Sequence, residues 1–533
     1  MGTNSATSTD AKGSMRMNAA FALLLIGMTA YFLWWGLDYT LHQQSFLFVI
    51  ATLFGVFMAF NIGGNDVANS FGTSVGAGTL TVTQALVVAA IFEVSGAVLA
   101  GSEVTDTIRK GIVDLDGVNV SPNQFIYVML SALIAAAFWL LFATKKGLPV
   151  STTHAIIGGV IGSSIVLGFN IGGSEMALGT INWATIGQIA ISWVLSPLLG
   201  GVLAYFLYGQ IKKNIIDYND KTEVHIHELK ESKRALKENH KEFFENLSES
   251  LQLSYTSAML RDQEVFKEED CAREDLETDY YQNLYDIEHE RKNLDTLKAL
   301  KKWAPLIAAF GAVVMTSMVV FKGLKNVNSS LTTLHGLLFM GMAGALVWLA
   351  TFIYTKTIRG KHKENLTKAT FIMFSWMQVF TASAFAFSHG SNDIANAVGP
   401  FAAIMDVIRT NQIASHAAVP SAVMLTFGVA LIVGLWFIGK EVIQTVGTNL
   451  AKMHPASGFS AELAAAAVVM GASIMGLPVS STHTLVGAVL GIGMVNKNTN
   501  WALMKPIALA WIITLPAAAI MSAVSFVILG KIF

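Results

Sequence analysis

The 533-residue chain is 53% hydrophobic and only 13% charged, with a mean hydropathy of +0.53. A soluble domain carries about 25% charged residues, so these figures exclude a soluble enzyme, a disulfide scaffold and a disordered chain, and indicate an all-α polytopic membrane protein. The net charge of −1 supplies no basic field for nucleic acid, and the single cysteine, Cys271, can form neither an intramolecular disulfide nor a metal cluster.

Residues 1–17 are small and polar and read as a disordered tail. The apolar run 18–37 leads into WWGLDYT rather than a small-residue cleavage site, so 18–44 reads as a retained extra span and its loop. Further runs able to cross about 30 Å of hydrocarbon lie near 45–62, 82–101, 124–143, 150–170 and 184–208. After a break, others lie near 303–321, 333–355, 369–390, 421–438, 458–475, 479–495 and 504–529. That makes about 13 spans. Two of them, 150–170 and 479–495, begin with Pro-Ser-Thr-rich stretches and read as broken or re-entrant. The break, 211–302, holds 22 acidic and 16 basic residues and neither Pro nor Gly, which predicts a charged helical cytoplasmic domain.

Two different motifs occur twice. GNDVANSFG at Gly64–Gly72 matches SNDIANAVG at Ser391–Gly399, 327 residues on, and GLPVSTTH at Gly147–His154 matches GLPVSSTH at Gly476–His483, 329 residues on. Two motifs duplicated in register define transport repeats of five spans each, at 45–210 and 369–533, with two connecting spans in 303–368. Counting crossings from a cytoplasmic N-terminus, the second repeat starts from the side opposite to the first. The repeats are therefore inverted, an arrangement many secondary transporters use for alternating access. The short segments this count puts inside, among them Lys145, Lys146, Arg359, Lys361, Lys363 and Lys452, hold thirteen Lys and Arg against six outside, in line with the positive-inside rule.

An Asp within a span is expensive, by about 2.5–3.5 kcal/mol or more. Asp66 and Asp393 each lie at the end of an apolar helix beside Gly63-Gly64 or Gly390-Ser391, where glycine lets the helix unwind and turn carbonyls toward an ion. Asn65, Asp66 and Asn69, with Asn392, Asp393 and Asn396, offer hard oxygen ligands suited to Na⁺. The alternative is an interhelical polar clamp of the same residues. In the second motif Pro149 and Pro478 start helices whose free N–H groups, with the hydroxyls of Ser151, Thr152, Thr153, Ser480, Ser481 and Thr482, form two anion sites. Facing each other by inverted symmetry, they can hold one tetrahedral oxyanion. N-capping explains Ser151 and Ser480 equally well, but not the residues that follow them. His154 and His483 read as hydrogen-bonding neighbours of this site rather than metal ligands. Glu93 and Glu462 occur in only one repeat each, and by position alone either is a helix-end charge or a transport residue.

These stretches have a family likeness. GGNDVANSFGTSVGAGTLT, AIFEVSGAVLAGSEVTDTIRKGIVDL, GLPVSTTHAIIGG, SHGSNDIANAVGPFAA and GLPVSSTHTLVGAVLG closely resemble the inorganic phosphate transporter family, over about 45–210 and 370–530. The likeness is nearest to its sodium-coupled branch. The first motif departs from the family pattern at Gly63-Gly64 and the second at Ser391, both small changes. The resemblance implies a secondary transporter that moves inorganic phosphate with Na⁺ across the cell membrane, with no enzymatic activity and no cofactor beyond that coupling ion. It also implies that the acids at Asp66, Glu93, Asp393 and Glu462 are needed for transport. The alternatives are the same fold carrying another oxyanion such as sulfate, or H⁺-coupled phosphate symport. An intramembrane serine hydrolase fits poorly, because Ser151 and His154 lie within one motif and the whole set is duplicated. The expected partners are phosphate, Na⁺ or H⁺, the lipid bilayer and a second copy of the chain.

Overall fold

The computed structural model describes residues 7–113, 120–268, 270–294, 296–324, 332–357, 366–413, 419–445 and 453–533. They divide into two compact units. Unit one comprises Met1–Gly209, Ala309–Leu346 and Met373–Phe533; unit two comprises Gln210–Ala308 and Val347–Ile372. Among the described residues the regular structure is helical, and the only β pairing is an isolated bridge between Val113 and Ile181.

The leading helix α1 (Thr7–Tyr39) precedes the first repeat. That repeat runs through α2 (Ser45–Ile62), a π-helical turn at Gly63–Val67, α3 (Ala68–Gly76), α4 (Val82–Ala100), the short α5 (Ser102–Asp106), α6 (Pro122–Lys145), α7 (Thr152–Gly179) and α8 (Trp183–Ile211). The charged segment forms α9 (Asp217–Glu245), α10 (Glu249–Val265) and α11 (Asp279–Asn293). The connecting helices are α12 (Lys298–Met318), which ends in a π-helical turn at Val319–Leu324, and α13 (Thr333–Thr357). The second repeat comprises α14 (Leu366–Asp393), α15 (Ala395–Thr410), α16 (Ser421–Ile438), the short α17 (Lys440–Gln444), α18 (Pro455–Ile474), α19 (Ser481–Asn496) and α20 (Trp501–Ile532).

Among the described residues, twelve helices are long and apolar enough to cross a membrane. The sequence marks thirteen apolar runs, and the run at 479–495 is the one that falls short. It folds as α19, whose 16 residues rise about 24 Å, less than the hydrocarbon thickness. Its counterpart α7 is 28 residues long but broken at Gly172 and Gly173, where Gly173 has φ 71°. One crossing therefore leaves the count that placed the C-terminus outside. Of the basic residues used in that count, Lys325, Arg359, Lys361, Lys363 and Lys452 lie outside the described residues.

Within unit one, helices of one repeat cross helices of the other at glycines. A Cβ built on Gly63 would lie 1.8 Å from the carbonyl oxygen of Leu431, and one on Gly434 would lie 1.8 Å from that of Phe60. The backbones of α2 and α16 thus touch. The equivalent crossing joins α4 and α14, where Gly390 meets the Glu93 carbonyl at 2.1 Å and Gly96 meets that of Phe387 at 2.0 Å. Gly158 and Gly162 bring α7 against α20, and Gly487 and Gly491 bring α19 against α8. Lipid gives little apolar driving force between helices, so close backbone approach at small residues supplies the packing. Each of these crossings has a twin and joins the two repeats, so they interlock. Ahead of them, Phe32 of α1 packs against Phe48, Phe401 and Phe427, with ring centroids 5.7–6.4 Å apart.

The turn ahead of each Ser-Thr motif is also clamped by the opposite repeat. Gly147 and Gly476 adopt left-handed backbone (φ 64° and 68°) that suits glycine after a helix. The Thr107 hydroxyl donates to the Gly476 carbonyl at 2.7 Å, and the Thr445 hydroxyl donates to the Gly147 carbonyl at 2.9 Å.

Unit two has its own polar framework. Buried Asp262 accepts from the backbone N–H groups of Glu277 and Thr278, both at 2.8 Å. Lys233 pairs with Glu288, Arg261 with Glu277, and the Asn219 carboxamide donates to the Thr370 hydroxyl at 2.7 Å.

Because Gly434 faces backbone rather than a movable side chain, Gly434→Ala is expected to destabilise the protein by about 1–3 kcal/mol through overpacking. Gly471, with nothing within 4 Å of a built Cβ, is the control. Thermal unfolding of the purified protein should show a clear fall in Tm for Gly434→Ala and none for Gly471→Ala.

Candidate functional site

Each Asn-Asp motif lies at a break between two helices. In the first repeat the break is the π-helical turn Gly63–Val67, whose wider winding loosens the regular backbone pairing. In the second, α14 stops at Asp393 and α15 starts at Ala395. Asp66 and Asp393 are both buried, at 2% and 1% exposure.

The asparagines ahead of them hold the opposite motif of their own repeat in place. Asn65 Nδ2 donates to Thr144 Oγ1 and to the Leu148 carbonyl, each at 3.0 Å, and its Oδ1 accepts from the Val150 N–H at 3.1 Å. Asn392 repeats the pattern: Nδ2 donates to Ser473 Oγ at 3.0 Å and the Leu477 carbonyl at 3.1 Å, and Oδ1 accepts from the Val479 N–H at 3.2 Å. Both carboxamides are committed to the Leu-Pro-Val turns. This is the polar clamp that the sequence left open as the alternative to cation binding. The Asn69 side chain lies outside the described residues.

With the turns fixed, the N-termini of α7 and α19 reach the aspartates. Thr152 Oγ1 donates to Asp66 Oδ2 at 2.5 Å, and Thr482 Oγ1, from the other repeat, donates to Asp66 Oδ1 at 3.0 Å. Ser481 Oγ donates to Asp393 Oδ2. The Asn396 carboxamide donates to Thr152 Oγ1 at 3.0 Å and Thr153 Oγ1 at 3.2 Å, and Thr153 Oγ1 donates to the Val479 carbonyl at 2.9 Å. Ser151 and Ser480 are N-caps that accept from the His154 and His483 N–H groups, both at 3.1 Å. Two helix starts, two aspartates and one asparagine from both repeats thus share one buried locus. Asp393 Oδ1 and Asn396 Oδ1 are buried there and make no hydrogen bond.

His389 completes it, and the sequence reading passed over this residue. One ligand atom from each of Asp66, His389 and Asp393 falls within 4.8 Å of the others. His389 Nε2 lies 2.9 Å from Asp393 Oδ2, and Nδ1 lies 2.8 Å from Glu93 Oε2, with all three side chains buried. Glu93 therefore joins the locus through an imidazole. A signal was available: 327 residues earlier, at the matching position, stands Ile62. A polar residue whose repeat twin is apolar marks a departure from symmetry.

Glu462 lies in a separate buried cage. Its carboxylate accepts from Thr73 at 2.7 Å, from Ser74, from Gln378 at 3.1 Å and from Thr381 at 2.9 Å. Nε2 of His483 is buried without a hydrogen-bond partner. The rings of His154 and His483 meet edge to face, 4.6 Å apart, and each packs on a tryptophan, His154 on Trp193 and His483 on Trp511, at 3.9 Å.

Residues 62–522 match the model of the phosphate transporter family. A relative from Mycobacterium bovis, named as a phosphate permease, is 58% identical over 515 residues, covering 96% of this chain and 93% of its own. Another with that name, from Haemophilus influenzae, is 33% identical over 497 residues, covering 92% and 98%. A solved structure described as the sodium-dependent phosphate transporter superposes with a TM-score of 0.69 at 29% identity, covering 91% of this chain and all of that one. A family-model match over most of the chain, two interlocked repeats and twelve membrane-length helices lead to one assignment: the chain is a multi-pass membrane protein of the phosphate transporter family, a family of transporters and not of enzymes.

Proposed function

We propose that this transporter moves inorganic phosphate together with Na⁺ across the cell membrane by alternating access, with its N-terminus and unit two on the cytoplasmic side. The observation that carries the reading is the closeness of Asp66 and Asp393 at the starts of α7 and α19. The helix N-termini and the hydroxyls of Thr152, Thr153, Ser481 and Thr482 offer donors to phosphate oxygens. Two carboxylates in the same locus repel a dianion, so phosphate binds there only with cations between them. That requirement is the coupling. Asp66, Asp393 and Asn396 present hard oxygen ligands for Na⁺, including the unpartnered Oδ1 atoms of Asp393 and Asn396. Asn65 and Asn392 serve this site by fixing its turns. The carboxylates also favour phosphate over sulfate, since at neutral pH phosphate can donate a hydrogen bond and sulfate cannot. H⁺ coupling is the second reading, because His389 joins Asp393 to Glu93 by short contacts.

Uptake of labelled phosphate into proteoliposomes under a Na⁺ gradient, then a K⁺ gradient, then a pH gradient alone decides between the two cations. The expected result is uptake with Na⁺ only, unaffected by excess sulfate. Asp66→Asn and Asp393→Asn should each abolish Na⁺-dependent uptake in protein that still inserts and folds; normal uptake by either variant would sink the cation assignment. Thr152→Val and Thr482→Val keep volume but remove a hydroxyl. Each should raise the apparent phosphate KM about ten- to a hundredfold, the equivalent of one hydrogen bond to a charged group. An unchanged KM in both variants would leave the threonines as helix caps. Replacing Thr222–Thr296 by a short flexible linker should leave basal uptake largely intact, because every duplicated motif lies outside it.

A further inference from the structure

The two Leu-Pro-Val turns are built alike, and one of them carries an additional tie. Glu103 and Thr107 of the first repeat flank the Gly476 turn, with Glu103 O and Thr107 Oγ1 each 3.6 Å from a Cβ built on Gly476. Glu441 and Thr445 of the second repeat flank the Gly147 turn in the same way, at 3.6 and 3.3 Å. Glu103 and Glu441 thus hold equivalent places, as do Ser473 and Thr144, the hydroxyl partners of Asn392 and Asn65.

Lys322 breaks this equivalence. It comes from neither repeat but from the π-helical turn Val319–Leu324 that ends α12. Its side chain is 3% exposed, and its Nζ lies 2.5 Å from Glu103 Oε2 and donates to the Ser473 carbonyl at 3.0 Å. One ammonium therefore ties the clamp on the Gly476 turn to the end of α18, where Ser473 Oγ also holds Asn392. Among the described residues no cation pairs with Glu441. A buried charge is retained only where it is paired, and removing one partner exposes the other to the full desolvation cost. Lys322 thus adds a tie to the Gly476 turn that has no twin among the described residues at the Gly147 turn.

We propose that Lys322 is a positioning residue which, through Glu103, holds the Gly476 turn closed while leaving the equivalent Gly147 turn free to open, so that the two halves of the transport cycle are unequal. This rests on the reading of the turns as the walls of the substrate site. The test is made without phosphate, so its failure leaves that reading standing.

Cys271 is the only cysteine, so Cys271→Ser gives a thiol-free background. Val150 and Val479, at 0% and 1% exposure, occupy matching places in the two turns and serve as reporters when changed singly to cysteine. Their reaction with a water-soluble maleimide is followed in detergent, where both sides of the protein are accessible. Lys322→Met should speed modification at Val479→Cys about ten- to a hundredfold, the scale of one lost charged hydrogen bond, and leave Val150→Cys within about twofold. Glu103→Gln should reproduce the same one-sided effect, and the double variant should add little to either, because the two side chains form one pair. Glu103 is 43% exposed, so its substitution keeps the test valid if Lys322→Met does not fold. Equal acceleration at both reporters, or none at either, overturns the proposal.

Discussion

Two carboxylates of like charge, Asp66 and Asp393, lie side by side in a protein interior, and the surrounding structure is arranged around that conflict. At a separation near 5 Å and an effective dielectric of about 20, their repulsion is on the order of 3 kcal/mol. Among the described residues, no lysine or arginine pairs with either one. The chain supplies hydroxyl donors from Thr152, Thr482 and Ser481, one imidazole from His389, and the amide ends of two helices. These soften the charge without cancelling it. On the proposed function, what remains is a site that takes a cation first and only then an anion.

The packing explains how such polar groups come to meet. Gly390 allows α14 to touch the backbone of α4 at Glu93, and the residue beside it, His389, is brought against the Glu93 carboxylate by that contact. In the same manner the contact of Gly63 with Leu431 seats the π-helical turn that presents Asp66. The missing Cβ atoms therefore act on the chemistry, because they set the distance between the helices that carry it. Asn65 and Asn392 extend this order to the two turns, whose position fixes where the helix starts point.

Much of this was legible in the sequence. Composition gives the membrane class, and duplicated motifs give the repeats and the residues at their breaks. Asp66, Asp393, Thr152, Ser481 and Thr482 do converge, although they are as much as 416 residues apart. Other features were hidden for physical reasons. An asparagine that binds an ion and one that clamps a turn look alike in sequence, because the difference lies in which backbone groups come within 3 Å. The run at 479–495 has the hydropathy of a span, but a left-handed glycine and a proline start its helix too late for the length. His389 meets Glu93, and Lys322 meets Glu103, across long separations in sequence, so only the fold reveals these pairs. Position and resemblance group Glu462 with Glu93, yet it occupies a cage of four donors of its own.

The cross-repeat hydrogen bond from Thr482 to Asp66 has a consequence for ancestry. Half of this chain cannot complete its own site, since each half borrows a helix start and a glycine crossing from the other. A single-repeat ancestor would have had to pair with a copy of itself inserted upside down, which demands a sequence with no strong preference for either orientation. With the halves joined in one chain each can change alone, and Ile62 opposite His389, with the solitary places of Glu93 and Glu462, marks where the two halves differ.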